Sequence, residues 1–522
     1  MNGNDLPEFS KKEKSAAAAS SDNDGIITAT PKAIPTTQPP GLFVSALVFI
    51  AVLPIIGILV LMSIPIHTLL ILWHVCSSSF TRTKLERLQK QNWVLPSQPL
   101  LESSTPILIV GSGIGGLTLA NFLIQCGYTN VKVFEKYGDC GLNRGGGHGL
   151  ISGSWCFSAM GLHQVFRETV DPATHWRFDS GRKWLKWSLP FQWMHSNPFL
   201  PALNYPLGSF LRSDFLKYLS ERLPEGVLHY HHELVDIVQE ENDQVRAVFA
   251  NGKQYSGRLL IGCDGSKSPT RNLMKEQLLV KNNKNISSEK MMPSPSSEDP
   301  FYVDINVWWC VTKFSNIPLL KRSKWDQGPS RLYFEGGAIM HLVANNNLIL
   351  VVDYRAPSIR RHHKQWATNA TGNDLLEFMK DWKIPQRYWP VAKHASRVAQ
   401  FAVPKGFEED TQYWHNGKNI VLLGDAVHPT PHFFGQGANA AIQDAYCLVR
   451  CLQTKNNVAA AFSEYVSIRK PPADDIVSKS YLLGLTETAG GIQRLVRDLI
   501  FFTVLKTGLF VWAAVDINTV RV

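Results

Sequence analysis

The stretch TPILIVGSGIGGLTLANFLIQCGYTNVKVFEK, residues 105–136, constrains the fold more than any other part of the chain. Its apolar run ILIV has the length and residue types of a buried strand, and a glycine-rich turn follows directly. Gly111, Gly113 and Gly116 form GxGxxG. An amphipathic helical pattern comes next, then a second strand, VKVFE, that ends at Glu135. In this arrangement the first glycine makes the tight turn, the second lets a pyrophosphate approach the backbone, and the third lets the helix pack on the sheet. Glu135, 19 residues after Gly116, is placed to accept hydrogen bonds from a ribose. GxGxxG alone is weak evidence. Set between a strand and a helix, with an acid at this distance, it is a dinucleotide-binding fingerprint, and the competing reading is a ligand-free turn of the same shape.

Two further stretches share that chemistry. LLIGCDGSKSPTR, residues 259–271, follows two strand-like runs; Asp264-Gly265 ends a strand and Arg271 begins what comes after. GDAVHPTPHFFGQGAN, residues 424–439, lies between the apolar run NIVLL and a helical pattern, AAIQDAYCLVRCL. Gly424, Gly435 and Gly437 permit close backbone approach. Asp425 sits where the strand ends. Asn439 begins a helix whose free N–H groups attract anions or electron-rich ring atoms. Such a loop holds a large polar cofactor against backbone; the alternative is a glycine-rich turn without a ligand.

The order GxGxxG…E, DGxxSxxR, GDAxH…GQGxN…D resembles the single-component (group A) FAD-dependent monooxygenases, the aromatic hydroxylase family related to para-hydroxybenzoate hydroxylase, kynurenine monooxygenase and zeaxanthin epoxidase. The resemblance covers about residues 105–470 and is specific for the family, not for a substrate. It implies an α/β fold: a Rossmann-like FAD-binding domain interleaved with a substrate domain built on a mostly antiparallel sheet. It implies FAD as cofactor and NAD(P)H as co-substrate. Gly111, Gly113 and Gly116 would hold the pyrophosphate and Glu135 the adenosine ribose. Arg144 and Arg212 would lie by the cofactor, and Asp264 and Gly265 would serve both FAD and NAD(P)H. Gly424 and Asp425 would face the ribityl or pyrophosphate part, and Gly435, Gly437 and Asn439 would line the flavin ring. His428, His432 and Arg212 are the expected groups at the reaction, with a packing role as the alternative for His428. Many relatives carry proline where this chain has His432, so His432 is either a substrate-facing polar group or a solvent-facing replacement. The implied reaction hydroxylates or epoxidises a small organic substrate with NAD(P)H and O2 through a flavin hydroperoxide, and a membrane anchor would suit a lipophilic one. The alternatives are a flavin-dependent reductase of the geranylgeranyl reductase type and a non-catalytic flavin-binding membrane scaffold.

Bulk properties narrow the partners. Lys plus Arg is 53 against 43 for Asp plus Glu, a net charge of +10 over 522 residues. That excess suits a membrane surface or an anionic cofactor. No basic run with interleaved aromatics and no nucleic-acid module is present, so nucleic acid is not expected as a partner. The eight cysteines are scattered without a CxxC pair, as in a reducing compartment. HYHHE, residues 229–233, reads as an ordinary strand with His229 and His231 on one face and His232 on the other, so no metal is expected.

The ends point to a membrane. Residues 1–40 lack a core-forming pattern and read as a disordered tail. Residues 41–76 contain no Asp, Glu, Lys or Arg. As one helix they would be about 54 Å long, against about 30 Å for a bilayer core. They form either one tilted span with an extension or two short segments meeting near Pro65. Arg82, Lys84, Arg87 and Lys90 follow, which puts the catalytic part in the cytosol. The flanking charges do not choose among membranes; the endoplasmic reticulum is a guess. The expected plan is this transmembrane region, a linker 77–104, an FAD domain from 105–180, 205–275 and 396–470, a substrate domain from 181–204 and 300–395, and a flexible loop 276–299. A helical region, 471–522, would contact the membrane through 499–515 by lying in the interface, spanning weakly or capping the soluble part.

Overall fold

The structure is a computed structural model. It describes residues 100–506, apart from 142–143, 174, 180–185, 191–206, 283–300, 318–324, 326–328, 357–365, 368–369 and 407–412. The expected tail, the apolar block 41–76 and most of the linker lie outside the described residues, as does most of the loop 276–299.

ILIV forms the strand Ile107–Val110, central in a five-stranded parallel sheet. Its neighbours are Val131–Phe134 on one side and Leu259–Gly262 on the other, with Leu228–His229 and Ile420–Leu422 at the edges. The near-continuous apolar runs reflect burial on both faces, as parallel sheets require. Helices Ile114–Gln125 and Gly437–Thr454 pack together beside this sheet, where Phe122, Tyr446, Trp155 and Phe157 make edge-on ring contacts.

The second large element is an eight-stranded, mostly antiparallel sheet. Its order is Trp366–Ala367, Arg397–Gly406, Phe301–Lys313, Asn347–Arg355, Gly337–Ala344, Ser330–Phe334, His175–Asp179 and Lys186–Pro190. The strands His175–Asp179 and Arg397–Gly406 thus lie in this sheet, across the domain boundaries expected at 180 and 396. Strand periodicity sorts the side chains into two sets. Trp308, Cys310, Leu350, Val352 and Tyr354 pack with Leu375, Met379 and Val391 from the helices Gly372–Asp381 and Trp389–Lys393. Val307, Trp309, Val311, Ile349 and Val351 form the opposite face with Leu342, Ala399 and Phe433.

HYHHE is not the uninterrupted strand expected from its sequence. Only Leu228–His229 is strand, and His231 has φ 57, so alternation breaks there. His229 and His232 therefore share one aromatic cluster with Phe134 and Tyr255, their rings 5.6 Å apart. The cysteines among the described residues are free thiols. The helix Ile492–Lys506 overlaps the stretch expected to meet a membrane, and among the described residues no helix is long and apolar enough to cross one.

Gly116 shows how tightly the first turn is built: a Cβ there would collide with the Gly111 carbonyl oxygen. Gly116→Val is expected to abolish accumulation of folded protein. Gly116→Ala is expected to lower stability by about 1–3 kcal/mol in a denaturant titration, as overpacking does.

Candidate active site

One cavity of about 1160 Å³ joins the ends of the parallel strands to the apolar face of the eight-stranded sheet. Gly111, with φ 103, starts its wall, and a Cβ there would lie 2.5 Å from the Cys263 carbonyl oxygen. Gly113 is the N-cap of the helix Ile114–Gln125, and no side chain caps it. The helix Gly437–Thr454 likewise begins at the cavity without a side-chain cap. Two sets of free backbone N–H groups therefore face one space, the arrangement that attracts negative charge.

The expected site residues separate into cavity-lining groups and braces. Gly111, Gly113, Glu135, Arg144, Arg212, Asp264, Gly265, Gly424, Asp425, His432, Gly435 and Gly437 line the cavity, whereas Gly116, His428 and Asn439 do not. Glu135 ties the second strand to the glycine turn: its Oε2 accepts from Ser112 N at 3.0 Å and Ser112 Oγ at 2.8 Å. Its Oε1 accepts from Tyr137 N at 3.2 Å. Arg212 donates from Nη1 to the carbonyls of Gly141 at 3.0 Å and Arg144 at 2.9 Å. Enclosure, then the Arg144 charge, lowers its pKa to about 10, so an anion beside it would be favoured. Arg144 stacks on Tyr137 at 3.6 Å and lies 3.9 Å from Glu135.

Asp264 is occupied by its own loop. It accepts from Ser268 Oγ, from Thr270 N at 2.9 Å and from Thr270 Oγ1 at 2.7 Å, which fixes the start of the helix Pro269–Asn282. Arg271 then donates to the Ala426 carbonyl at 2.9 Å, clipping the second motif to the third. Asp425 differs: its side chain opens on the cavity, although protein encloses the site around it. Desolvation raises its pKa, against the pull of His428 and Arg212, and no hydrogen bond to a described residue satisfies it.

His428 is a brace and lies off the cavity, with 4% of its surface exposed. Its Nε2 meets Asp444 Oδ2 at 2.5 Å, and the same oxygen accepts from Gly424 N at 3.0 Å. Asp444 Oδ1 accepts from Arg469 Nε at 2.7 Å. Burial opposes charge on both partners, yet the pairing outweighs it, raising the His428 pKa and holding Asp444 at about 2. Asn439 is a second brace. Its Oδ1 accepts from Ile151 N and Gly153 N, and its Nδ2 donates to Gly149 O and Gly435 O, all at 2.9 Å. Sequence reasoning missed Asp353, Arg331 and Glu487. Asp353 and Arg331 are polar residues in otherwise apolar strands, NLILVVDYR and SRLYF, and that interruption was their signal.

The sequence pattern of the FAD binding domain family matches residues 104–334 and 395–480. The chain belongs to that family. It is 28% identical over 377 residues to the FAD-dependent monooxygenase pynG of Aspergillus niger, covering 67% of this chain and 79% of that one. It is 23% identical to the salicylate hydroxylase of Pseudomonas putida, covering 70% and 82%. A dual trans-enoyl reductase/FAD-dependent monooxygenase of Aspergillus terreus, tazHJ, is 24% identical, and the chain spans 54% of its length. Among solved structures, HpxO of Klebsiella pneumoniae, complexed with FAD and uric acid, shares the fold at a TM-score of 0.64 and 17% identity, covering 81% of this chain and 99% of that one.

The residues present fit FAD. Two uncapped helix N-termini and Arg212 suit its pyrophosphate, and the unsatisfied Asp425 suits a hydroxyl-bearing chain. Asp425→Ala is expected to weaken FAD affinity by about tenfold or more, read by flavin fluorescence during reconstitution. Asp444→Asn would leave Arg469 buried without a counter-charge and is expected to cost about 3–5 kcal/mol in denaturant unfolding. The pair also sets a pH dependence. The stability due to His428 is complete below about pH 6.5, its ordinary value, and is lost as pH rises through its raised folded value. That due to Asp444 is present above about 3.8 and is lost as pH falls toward 2. Unfolding free energies of wild type and His428→Gln are expected to converge as the pH rises through the raised His428 value.

Proposed function

We propose that this FAD-family protein is a monooxygenase that uses NAD(P)H and O2 to put one oxygen atom into a small, lipophilic organic substrate. The observation that carries the reading is the continuity of the cavity. It runs from the three glycine-rich loops to a face made of Trp309, Met340, Leu342, Ile349, Val351 and Phe401. Such a wall favours an apolar molecule and excludes water from the space beside the cofactor loops. The monooxygenase names of the curated relatives support the reaction class.

When bound, FAD supplies the redox chemistry that couples NAD(P)H oxidation to oxygen insertion. The chain's part is positional. Gly111, Gly113 and Gly116 shape the turn against which the pyrophosphate would rest, Arg212 faces its charge, and Asp425 would accept from the ribityl hydroxyls. Gly424, Gly435 and Gly437 keep the ring-side wall close to backbone, while Asn439 and His428 hold that wall from behind. Glu135 lies at the adenosine end. Residues 105–180, 205–275 and 396–470 would carry the cofactor, and 181–204 with 300–395 the substrate.

Residues 41–76 would also attach the protein to a membrane, the endoplasmic reticulum being a guess, with the catalytic part in the cytosol. The charge-free length of that block supports it. Exposed Ile492, Leu495 and Val496, close to Arg494, support a further contact near the C-terminal end.

The detergent-purified, FAD-loaded protein, given NADPH, isotopically labelled O2 and a lipid extract, is expected to yield a product carrying one labelled oxygen. Reduced, unlabelled product would replace the monooxygenase with a reductase. The full-length chain is expected to stay with membranes through an alkaline wash, and its release would remove the anchor from the proposal.

A further inference from the structure

The eight-stranded sheet carries a second polar cluster, on the face turned away from the cavity. Arg177, Ser330 and His341 stand side by side across three neighbouring strands. Ser330 pairs with Arg177 of His175–Asp179 and with His341 of Gly337–Ala344. The adjoining pair, Arg331 and Met340, lines the cavity, and strand alternation turns Ser330 and His341 the other way. The helical side closes over this row. The His341 ring lies 4.9 Å from Trp325 and 6.1 Å from Tyr388, both in the core that packs on the helices Gly372–Asp381 and Trp389–Lys393. Tyr388 ends the 3-10 turn Gln386–Tyr388. There Arg387 Nη2 donates to Tyr388 Oη at 3.3 Å, and its guanidinium lies 5.0 Å from the ring centre.

The row is rich in donors and short of acceptors. His341 is 8% exposed, and its Nδ1 is enclosed without a hydrogen-bond partner among the described residues. Burial, then the charges of Arg387 and Arg177, hold its pKa down at about 3, so the ring is neutral and carries one N–H. The tautomer with its proton on Nδ1 adds a donor to the row. Ser330 is equally buried, and the Arg177 side chain is half-buried. Neither the Ser330 hydroxyl nor the Arg177 guanidinium meets a partner among the described residues. Asp179, two positions along the strand from Arg177, stands opposite Leu332 instead, and its charge reaches Tyr388. Two guanidinium groups, a hydroxyl and an imidazole thus face one place, with one carboxylate set to the side. Leaving such groups enclosed without acceptors is costly, and a ligand that only accepts would relieve them together.

We propose that Arg177, Ser330, His341 and Arg387 form a binding site for a phosphate group, on the opposite side of the sheet from the cofactor cavity. A phosphate presents acceptor oxygens in several directions and a charge that two guanidinium groups match, whereas a carboxylate presents two oxygens in one plane. The site is independent of the oxygen chemistry proposed above. It is nevertheless joined to the cavity wall, because Ser330 and Arg331 are consecutive. Arg331 pairs with Glu487 of the long helix Val458–Glu487 and donates from Nη2 to Phe433 O. The turn His432–Phe434 that carries this carbonyl is also held by Asp353, whose Oδ1 lies 2.7 Å from His432 Nε2. Phosphate on the outer face therefore stabilises the strand that anchors this turn.

The FAD-loaded protein is dialysed to equilibrium against radiolabelled inorganic phosphate, and adenosine 2′-monophosphate is titrated in parallel by calorimetry. FAD fills the cavity in this form, so bound phosphate reports a different place. Wild type is expected to retain phosphate stoichiometrically. Arg177→Gln and Arg387→Gln are each expected to weaken binding by about tenfold or more. His341→Phe keeps an aromatic ring against Trp325 and is expected to weaken binding in the same direction. Phosphate is expected to raise the melting temperature of wild type and to leave that of Arg177→Gln unchanged. Flavin absorbance of each variant separates loss of the site from loss of the fold. Tighter binding of the nucleotide than of inorganic phosphate, lost in Arg177→Gln, assigns the site to a phosphorylated nucleoside; equal binding assigns it to free phosphate. Equal retention of phosphate by wild type and Arg177→Gln overturns the proposal, as does a wild type that retains none or loses it to equimolar chloride.

Discussion

The buried Asp444 carboxylate holds the cofactor side of the molecule in register. It receives the Gly424 amide, the His428 ring and the Arg469 guanidinium, from a strand end, a loop and the long helix. Each donor alone would be a buried polar group at a cost of about 1–3 kcal/mol, and more for the charged ones. Together they satisfy one another, and they fix the strand end that carries Asp425. The Arg271 bond to the Ala426 carbonyl brings the second glycine-rich loop to the same place. Three segments far apart in sequence thus converge because each has a polar group that only the others can satisfy.

The eight-stranded sheet solves a different problem. One face packs against helices and the other is open to the cavity, yet both are apolar, so the strands read as continuous hydrophobic runs. Strand alternation decides which residues look inward. Trp309 and Val351 are cross-strand partners on the cavity side, while Trp308 and Val352, one position along, belong to the opposite core. A shift of one residue in register would exchange the two faces and move Asp353 out of reach of His432.

What the sequence made legible follows from how local each constraint is. GxGxxG with its flanking strand and helix is a backbone requirement confined to a few residues, so the turn, the parallel sheet and the cavity wall could be read from residues 105–136. The fate of individual side chains could not. His428, Asn439 and Asp264 stand at recognisable motif positions, but each is held by a partner within the protein, such as Asp444, Ile151 and Thr270. A motif states that a side chain matters without saying whether it faces a ligand or the protein. HYHHE failed for a related reason: the reading assumed a strand, and one residue of positive φ brought His229 and His232 together. Asp353 was hidden because its partner lies 79 positions away and no short spacing links them.

The GQG loop is also where cofactor side and substrate side meet mechanically. Phe433 contributes its carbonyl to Arg331 of the sheet and its ring to the apolar cluster beside Leu342 and Val351. Gly435 accepts from Asn439, which holds the segment around Ile151. Between them, His432 reaches Asp353. A ligand that moves the sheet residues therefore acts on the same short turn that shapes the flavin-side wall. The buried Arg331–Glu487 pair makes that turn costly to displace, because moving it would strand charge without water. The loop consequently serves as a fixed reference between two binding regions, and specificity has to come from what its polar groups accept rather than from how far it yields.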